Sequence, residues 1–179
     1  MIRGKNITLR TVRETDLNAL YTALSDLASR GDYFPLSLMS ETAFQREFHA
    51  HGFWSNDSGR LLICDAEDHL LGSIWYFQAV PYYDGLEIGY QLFDVGRRNS
   101  GIMTEALLLC TRYLFAVRKI NRWQLAIMPS NTASKRVAEK CGFTCEGVAR
   151  GAIFHRGANH DLEIYSLVRA DLRSSEVSP

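Results

Sequence analysis

The run Val95-Gly-Arg-Arg-Asn-Ser-Gly-Ile-Met-Thr-Glu-Ala-Leu107 carries residue types whose spacing bears most directly on chemistry. It reads as the exit of a strand, a basic polar loop and the first turn of a helix. A helix start leaves about four backbone N–H groups without intrahelical partners, and the helix dipole adds partial positive charge there. A phosphate or pyrophosphate fits that end. Gly101 lets the backbone approach a ligand closely or take a positive φ, and Arg97 or Arg98 can add a charge-assisted contact. Taken alone, the loop more simply describes a capped helix with two solvated arginines. Met103 is bulky for a helix entrance, so its side chain is expected to point into the core while its N–H faces the anion.

Other reactive residue types say less. His155, His160 and Asp161 lack the helical spacing of a metal site and have no cysteine nearby, so no metal is assigned. Cys64 and Cys110 lie in apolar runs, where cysteine behaves as a small buried hydrophobe. Cys141 and Cys145 flank a glycine turn, and no C-x-x-C pair occurs, so a structural role outweighs a redox one.

The elements that would position the loop follow from periodicity. A strand is expected over 7–12 and a helix over 14–29, with Leu17, Leu20, Tyr21, Leu24 and Leu27 at three- and four-residue spacing and Gly31 as its stop. An aromatic loop leads to a second helix over 41–51. Apolar runs at 60–64 and 70–80 around a polar turn predict an antiparallel hairpin, and 86–93 a further strand. A long helix is expected over 101–118, with Ile102, Ala106, Leu109 or Cys110, Tyr113 and Val117 as its apolar stripe. Then come a strand over 123–128 ended by Pro129, a helix over 131–140 stopped by Gly142, and two strands within 143–168 around the turn at 156–159.

With 179 residues, no internal repeat and no linker, the chain reads as a single α/β (α+β) domain over 1–179, its last residues (about 171–179) a polar tail. Twenty basic and twenty acidic residues cancel, which argues against a duplex nucleic-acid partner. The N-terminus has no apolar signal region, and no stretch reaches the roughly 18–20 apolar residues of a membrane span. Together with the unpaired cysteines this reads as a cytoplasmic, reduced protein.

Four segments in order now resemble the GNAT acetyltransferases, and more closely their ribosomal-protein N-terminal acetyltransferase-like (Rim-type) branch. They are the strand Glu87-Ile-Gly-Tyr-Gln-Leu92, the loop Arg98-Asn-Ser-Gly-Ile-Met103 followed by Thr104-Glu-Ala-Leu107, the helix start Asn131-Thr-Ala-Ser134, and the stop Lys140-Cys-Gly-Phe143 leading to Glu146-Gly147. The resemblance runs from about Ile7 to Val168. No one motif is specific; the four together at family spacing are.

The resemblance implies a GNAT fold: a central mixed, mostly antiparallel sheet of about seven strands with about four helices and a V-shaped split between the fourth and fifth strands. It implies acetyl-CoA as co-substrate, with no metal, and transfer to a primary amine by direct attack in a ternary complex. The backbone at Arg98, Asn99, Ser100, Gly101, Ile102, Met103 and Thr104 would hold the pyrophosphate. The strand before the loop would part from its neighbour at a bulge, leaving Leu92 and Phe93 to pair with the pantetheine arm. Asn131 would bond the same arm, a role compatible with capping its helix.

For the chemistry, the resemblance makes Glu87 the candidate base and Ser134 a hydrogen-bonding group at the leaving sulfur. Glu87, Gly89 and Gln91 share one strand face. The carboxylate that some relatives carry after Gly147 is missing, since Gly151-Ala-Ile-Phe154 stands there. The burden therefore falls on Glu87 or an ordered water. Tyr33, Phe34, Trp54, Trp75 and Tyr83 are candidates for the acceptor cleft. The acceptor is expected to be a protein N-terminal amine or a small-molecule amine; an aminoacyl-adenylate, aminoglycoside or polyamine is the alternative, and a homodimer is left open. A non-catalytic acyl-CoA-binding module is the reading of another class, and the joint presence of Glu87, Asn131 and Ser134 weighs against it.

Overall fold

The computed structural model describes residues 1–175. It contains one eight-stranded sheet in the order β1-β2-β3-β4-β5-β6-β8-β7. The strands are β1 (Ile2–Arg3), β2 (Thr8–Thr11), β3 (Ser58–Cys64), β4 (Leu70–Phe77), β5 (Gly85–Leu92), β6 (Arg122–Ile127), β7 (Thr144–His155) and β8 (Ala158–Val168). The helices are α1 (Leu17–Ser25), α2 (Glu41–His51), α3 (Ile102–Val117), α4 (Thr132–Lys140) and α5 (Arg169–Ser175). The eighth strand relative to expectation is the two-residue β1, and the fifth helix is α5, which occupies the start of the segment read as a tail. Residues 176–179 of that tail lie outside the described residues.

Only β5 and β6 run parallel; the other neighbours pair antiparallel. Alternation along the strands divides the sheet into two faces. One face packs Leu61, Ile63, Ile74, Tyr76, Leu86, Ile88, Trp123 and Leu125 against α3. The other places Leu62 and Cys64 under α1 and α2, with Leu17, Leu20 and Phe44.

The stripe of α3 is wider than its sequence reading and rotated at one end. It buries Ile102/Met103, Ala106/Leu107, Cys110/Thr111 and Leu114/Phe115, whereas Tyr113 and Val117 are exposed. A helix lying on a sheet buries paired positions in each turn, and a single-residue stripe misses the second. The first helix is also shorter than expected: a 3-10 turn at Glu14–Asp16 precedes α1, which ends at Ser25. Beyond it the chain wraps around Arg30. That buried guanidinium donates through Nε to Leu24 O at 2.9 Å and through Nη1 to Pro35 O at 2.5 Å and Ser37 O at 2.8 Å. Bonds from a charged donor contribute about 1.5–3 kcal/mol each, enough to favour this loop over another helical turn.

Candidate active site

The split in the sheet lies between β5 and β6, which are the fourth and fifth strands once the short β1 is set aside. The two pair only at Gly85↔Arg122, Leu86↔Trp123 and Glu87↔Gln124. Beyond Glu87 each follows its antiparallel partner: β5 stays in register with β4 from Phe77↔Glu87 to Gly72↔Leu92, and β6 with β8 as far as Ile127↔Glu163. The expected bulge is absent, because no register shift interrupts β5. The parting comes from competing antiparallel partners. One pantetheine expectation is also corrected: the Phe93 N–H donates to Leu71 O at 2.9 Å. Antiparallel alternation then turns the backbone groups of Tyr90 and Leu92, rather than Phe93, towards the split.

At the open end of the split, β5 leads into a 3-10 turn at Val95–Arg97, which Asp94 caps by accepting from Gly96 N at 2.8 Å. Asn99 and Gly101 both take positive φ, 62° and 84°, a local shape that turns successive amides to one side. None of the backbone N–H groups from Asn99 to Thr104 has a hydrogen-bond partner among the described residues. An added Cβ at Gly101 would meet nothing within 4 Å, so open space lies over this row of amides. Ser100 Oγ donates back to Arg97 O at 2.5 Å. Arg98 makes no ion pair among the described residues, and its Nη2 stands 3.5 Å from where a Cβ on Gly31 would be. Met103 is buried in the core beneath α3. A ring of unpartnered amides with a free guanidinium beside it fits a pyrophosphate.

Glu87 is half-buried at the closed base of the split, where its Oε2 accepts from Gln124 Nε2 at 2.9 Å. Burial pushes its carboxyl above the ordinary glutamate value, with the Gln124 hydrogen bond pulling the other way. Three residues on, Tyr90 faces the opposite side of the sheet, towards α4. Its hydroxyl is 2.7 Å from Ser134 Oγ, and burial pushes it up to about 12. Tyr90 was not singled out in the sequence, where strand alternation places it among the apolar positions. Asn131 caps α4 by accepting from Ser134 N at 3.1 Å, which fixes the first turn. Its Nδ2 makes no hydrogen bond among the described residues.

The aromatic candidates separate into three groups. Phe34 packs edge-on against Trp75 at 5.6 Å. The Trp75 indole lies across β5 so closely that a Cβ on Gly89 would sit 2.4 Å from its Cε2. Tyr33 ties the same loop to the turn before α4 by donating to Ser130 O at 2.9 Å, and His155 Nε2 donates to Asp32 O at 2.7 Å. The loop between α1 and α2 is thus fastened on both sides. Trp54 belongs elsewhere: it packs edge-on against Tyr76 with Arg118 over its ring, joined to the core under α3. Tyr83 sits at the closed end of the split, where the Arg122 guanidinium lies 5.5 Å from its ring centre.

His155 and His160 serve backbone carbonyls, His160 Nε2 donating to His155 O at 3.1 Å. Burial pushes the thiols of Cys110 and Cys141 up to about 12 and that of Cys64 to about 11, which leaves them protonated at neutral pH. Asp65, Glu67 and His69 approach one another on the β3–β4 turn, but Asp65 Oδ1 already accepts from the amides of Glu67 and His69 there. No described helix is long and apolar enough to cross a membrane.

Comparison with known proteins agrees with this architecture. The acetyltransferase (GNAT) domain matches residues 6–144. The probable N-acetyltransferase YjcK of Bacillus subtilis is 29% identical over 96% of this chain and 98% of its own. Among solved structures, the spermidine N-acetyltransferase of Vibrio cholerae in complex with coenzyme A and spermine superposes with a TM-score of 0.80 at 17% identity, covering 92% of this chain and 96% of that one. RimL, a ribosomal L7/L12 α-N-protein acetyltransferase in complex with coenzyme A, gives 0.77 at 23% identity, covering 92% and 95%. The split sheet, the amide-lined loop and the family match converge: this chain belongs to the GNAT acetyltransferases, enzymes that take acetyl-CoA as co-substrate.

Proposed function

We propose that this N-acetyltransferase passes an acetyl group to a primary amine, on a protein N-terminus or a small molecule, by direct attack within a ternary complex. The observation that carries the reading is the arrangement along β5. Glu87 holds a proton acceptor at the base of the split on one face, and Tyr90 with Ser134 holds hydroxyl donors on the other.

The amides from Asn99 to Thr104 and the Arg98 guanidinium hold the pyrophosphate, while the Leu92 backbone and Asn131 Nδ2 meet the pantetheine arm. Acetyl-CoA supplies the thioester carbonyl that the amine attacks. An ammonium has no free electron pair, so Glu87 takes a proton from it, directly or through one water. A carboxylate partly withdrawn from water is a stronger base than an exposed one, and here burial favours the protonated form it ends in. The Ser134–Tyr90 hydroxyl pair donates a hydrogen bond to the departing sulfur, a site where negative charge develops. The buried thiols take no part, consistent with direct transfer.

Thiol release from acetyl-CoA across a panel of primary amines and short peptides tests the reading. Amine-dependent release is expected. Saturable acetyl-CoA binding with no release for any amine would instead describe a coenzyme-binding module.

A further inference from the structure

On the α1/α2 face of the sheet, next to Glu87, the strand register gathers a second set of polar groups. Arg60 stands opposite Trp75, Trp75 opposite Gly89, and Ser73 opposite Gln91. The Arg60 guanidinium lies 4.7 Å from the Trp75 ring centre and donates through Nη1 to Ser73 Oγ at 2.7 Å. It makes no ion pair among the described residues, and its Nε and Nη2 have no partner there. Glu47 on α2 is within electrostatic range but forms no ion pair with it. Burial pulls the guanidinium down to about 10 against the favourable charge of Glu47, which leaves it cationic at neutral pH.

Gln91 is 7% exposed, and neither Nε2 nor Oε1 has a hydrogen-bond partner among the described residues. A buried polar group left unmade costs about 1–3 kcal/mol, so a folded chain that keeps two such atoms beside a cation with no ion pair among the described residues invites a ligand. Gly89 is required here because the Trp75 indole crosses β5 at that point. The indole forms a flat floor over β5 at Gly89, with the Arg60 guanidinium lying on it.

We propose that Arg60, Gln91 and Trp75 form the acceptor's second anchoring point, and that it takes an oxyanion, a carboxylate or phosphate, carried on the same molecule as the amine. The inference rests on the proposed function, with the amine at Glu87. A guanidinium fork reads a planar oxyanion through paired donors, and Gln91 Nε2 supplies a further donor. Along β5, Gly89 and Gln91 lie about 7 and 14 Å from Glu87 at the usual strand rise. The acceptor therefore spans about two to four extended residues between amine and oxyanion. A polyamine would bring a second cation against Arg60 and is disfavoured.

The test compares matched acceptors on the full chain: di- and tri-alanine against their C-terminal amides, aminoalkyl phosphates against the parent amino alcohols, and spermidine. The acid or phosphate member of a pair should exceed its neutral partner in kcat/KM by about tenfold or more, mostly through KM. The carboxylate and phosphate pairs show which oxyanion is taken. Arg60→Met should bring that ratio to near one, Arg60→Lys should restore part of it, and Gln91→Glu should independently reduce it. Equal rates within every pair, spermidine as the best acceptor, or an Arg60→Met effect of the same size on both members would overturn the proposal. Should no amine be acetylated, the transferase reading fails separately. Calorimetric binding of trialanine to the coenzyme A-saturated protein then decides the subsite: binding weakened about tenfold by Arg60→Met supports it, and unchanged or undetectable binding to the wild type overturns it.

Discussion

The Tyr90 hydroxyl and Ser134 Oγ stand 2.7 Å apart, joining β5 to the first turn of α4 across the wall of the split. Tyr90 is protonated at neutral pH, and burial pushes it further up to about 12, so the pair has an O–H to donate as a hydrogen bond to a departing sulfur. Ser134→Ala should lower kcat by roughly 10–100-fold, the loss of one hydrogen bond to a charged group, with little change in the KM for acetyl-CoA. Tyr90→Phe should have a smaller effect in the same direction, and the double variant should fall short of the product of the two, because the residues act as one unit. If Tyr90→Phe lowers only Tm, its role is packing alone.

Glu87 predicts the pH dependence of turnover. Burial raises its carboxyl above the ordinary glutamate value, so the basic form is lost at a higher pH than for an exposed glutamate. The acid limb of kcat/KM should lie above that value and vanish in Glu87→Gln, whose residual rate should be low at neutral pH. The sign for stability is opposite. A raised folded-state value means that the protonated form suits the fold and that the associated stability is lost as pH rises through it. Glu87→Gln should therefore match or exceed the wild type in Tm at pH 8, while coenzyme affinity is retained. A Tm well below the wild type there would contradict this.

Gly101 isolates the backbone's contribution to coenzyme binding. Its φ of 84° meets no side chain or neighbour, so Gly101→Ala tests conformation rather than space. The left-handed region costs an L-residue about 1–2 kcal/mol, which corresponds to a Tm loss of about 2–8 °C in a chain of this size. Coenzyme A affinity, measured by calorimetry, should fall by about tenfold or more as the amides turn from the ligand. Unchanged affinity would remove the loop from the pyrophosphate site.

Two tryptophans give a contrasting pair. Trp75 lies against Phe34 and across Gly89, whereas Trp54 packs with Tyr76 and Arg118. Trp75→Leu should raise the acceptor KM several-fold with coenzyme affinity unchanged. Trp54→Leu should lower Tm and leave the acceptor KM close to the wild type. The reverse pattern would place the acceptor on the other side of the sheet.

Much of this architecture was legible in the sequence where periodicity and punctuation agree. Gly101 and Asn131 mark helix starts by local chemistry, and α3 and α4 begin one residue after each. What depends on tertiary context was not. Tyr90 reads as one more apolar strand position until α4 brings Ser134 to it. Arg60 is only the first residue of the apolar run 60–64 until the register sets it over Trp75. Trp54 and Trp75 look alike along the chain, and only their placement on opposite faces separates them. The parting of β5 and β6 depends on which neighbours each strand keeps, and strand patterns do not encode partners.

The central claim is most directly tested by initial rates of thiol release with acetyl-CoA and an amine varied together. Direct transfer in a ternary complex predicts amine-dependent release with intersecting double-reciprocal lines. Parallel lines, or coenzyme binding with no amine-dependent release at all, would contradict it.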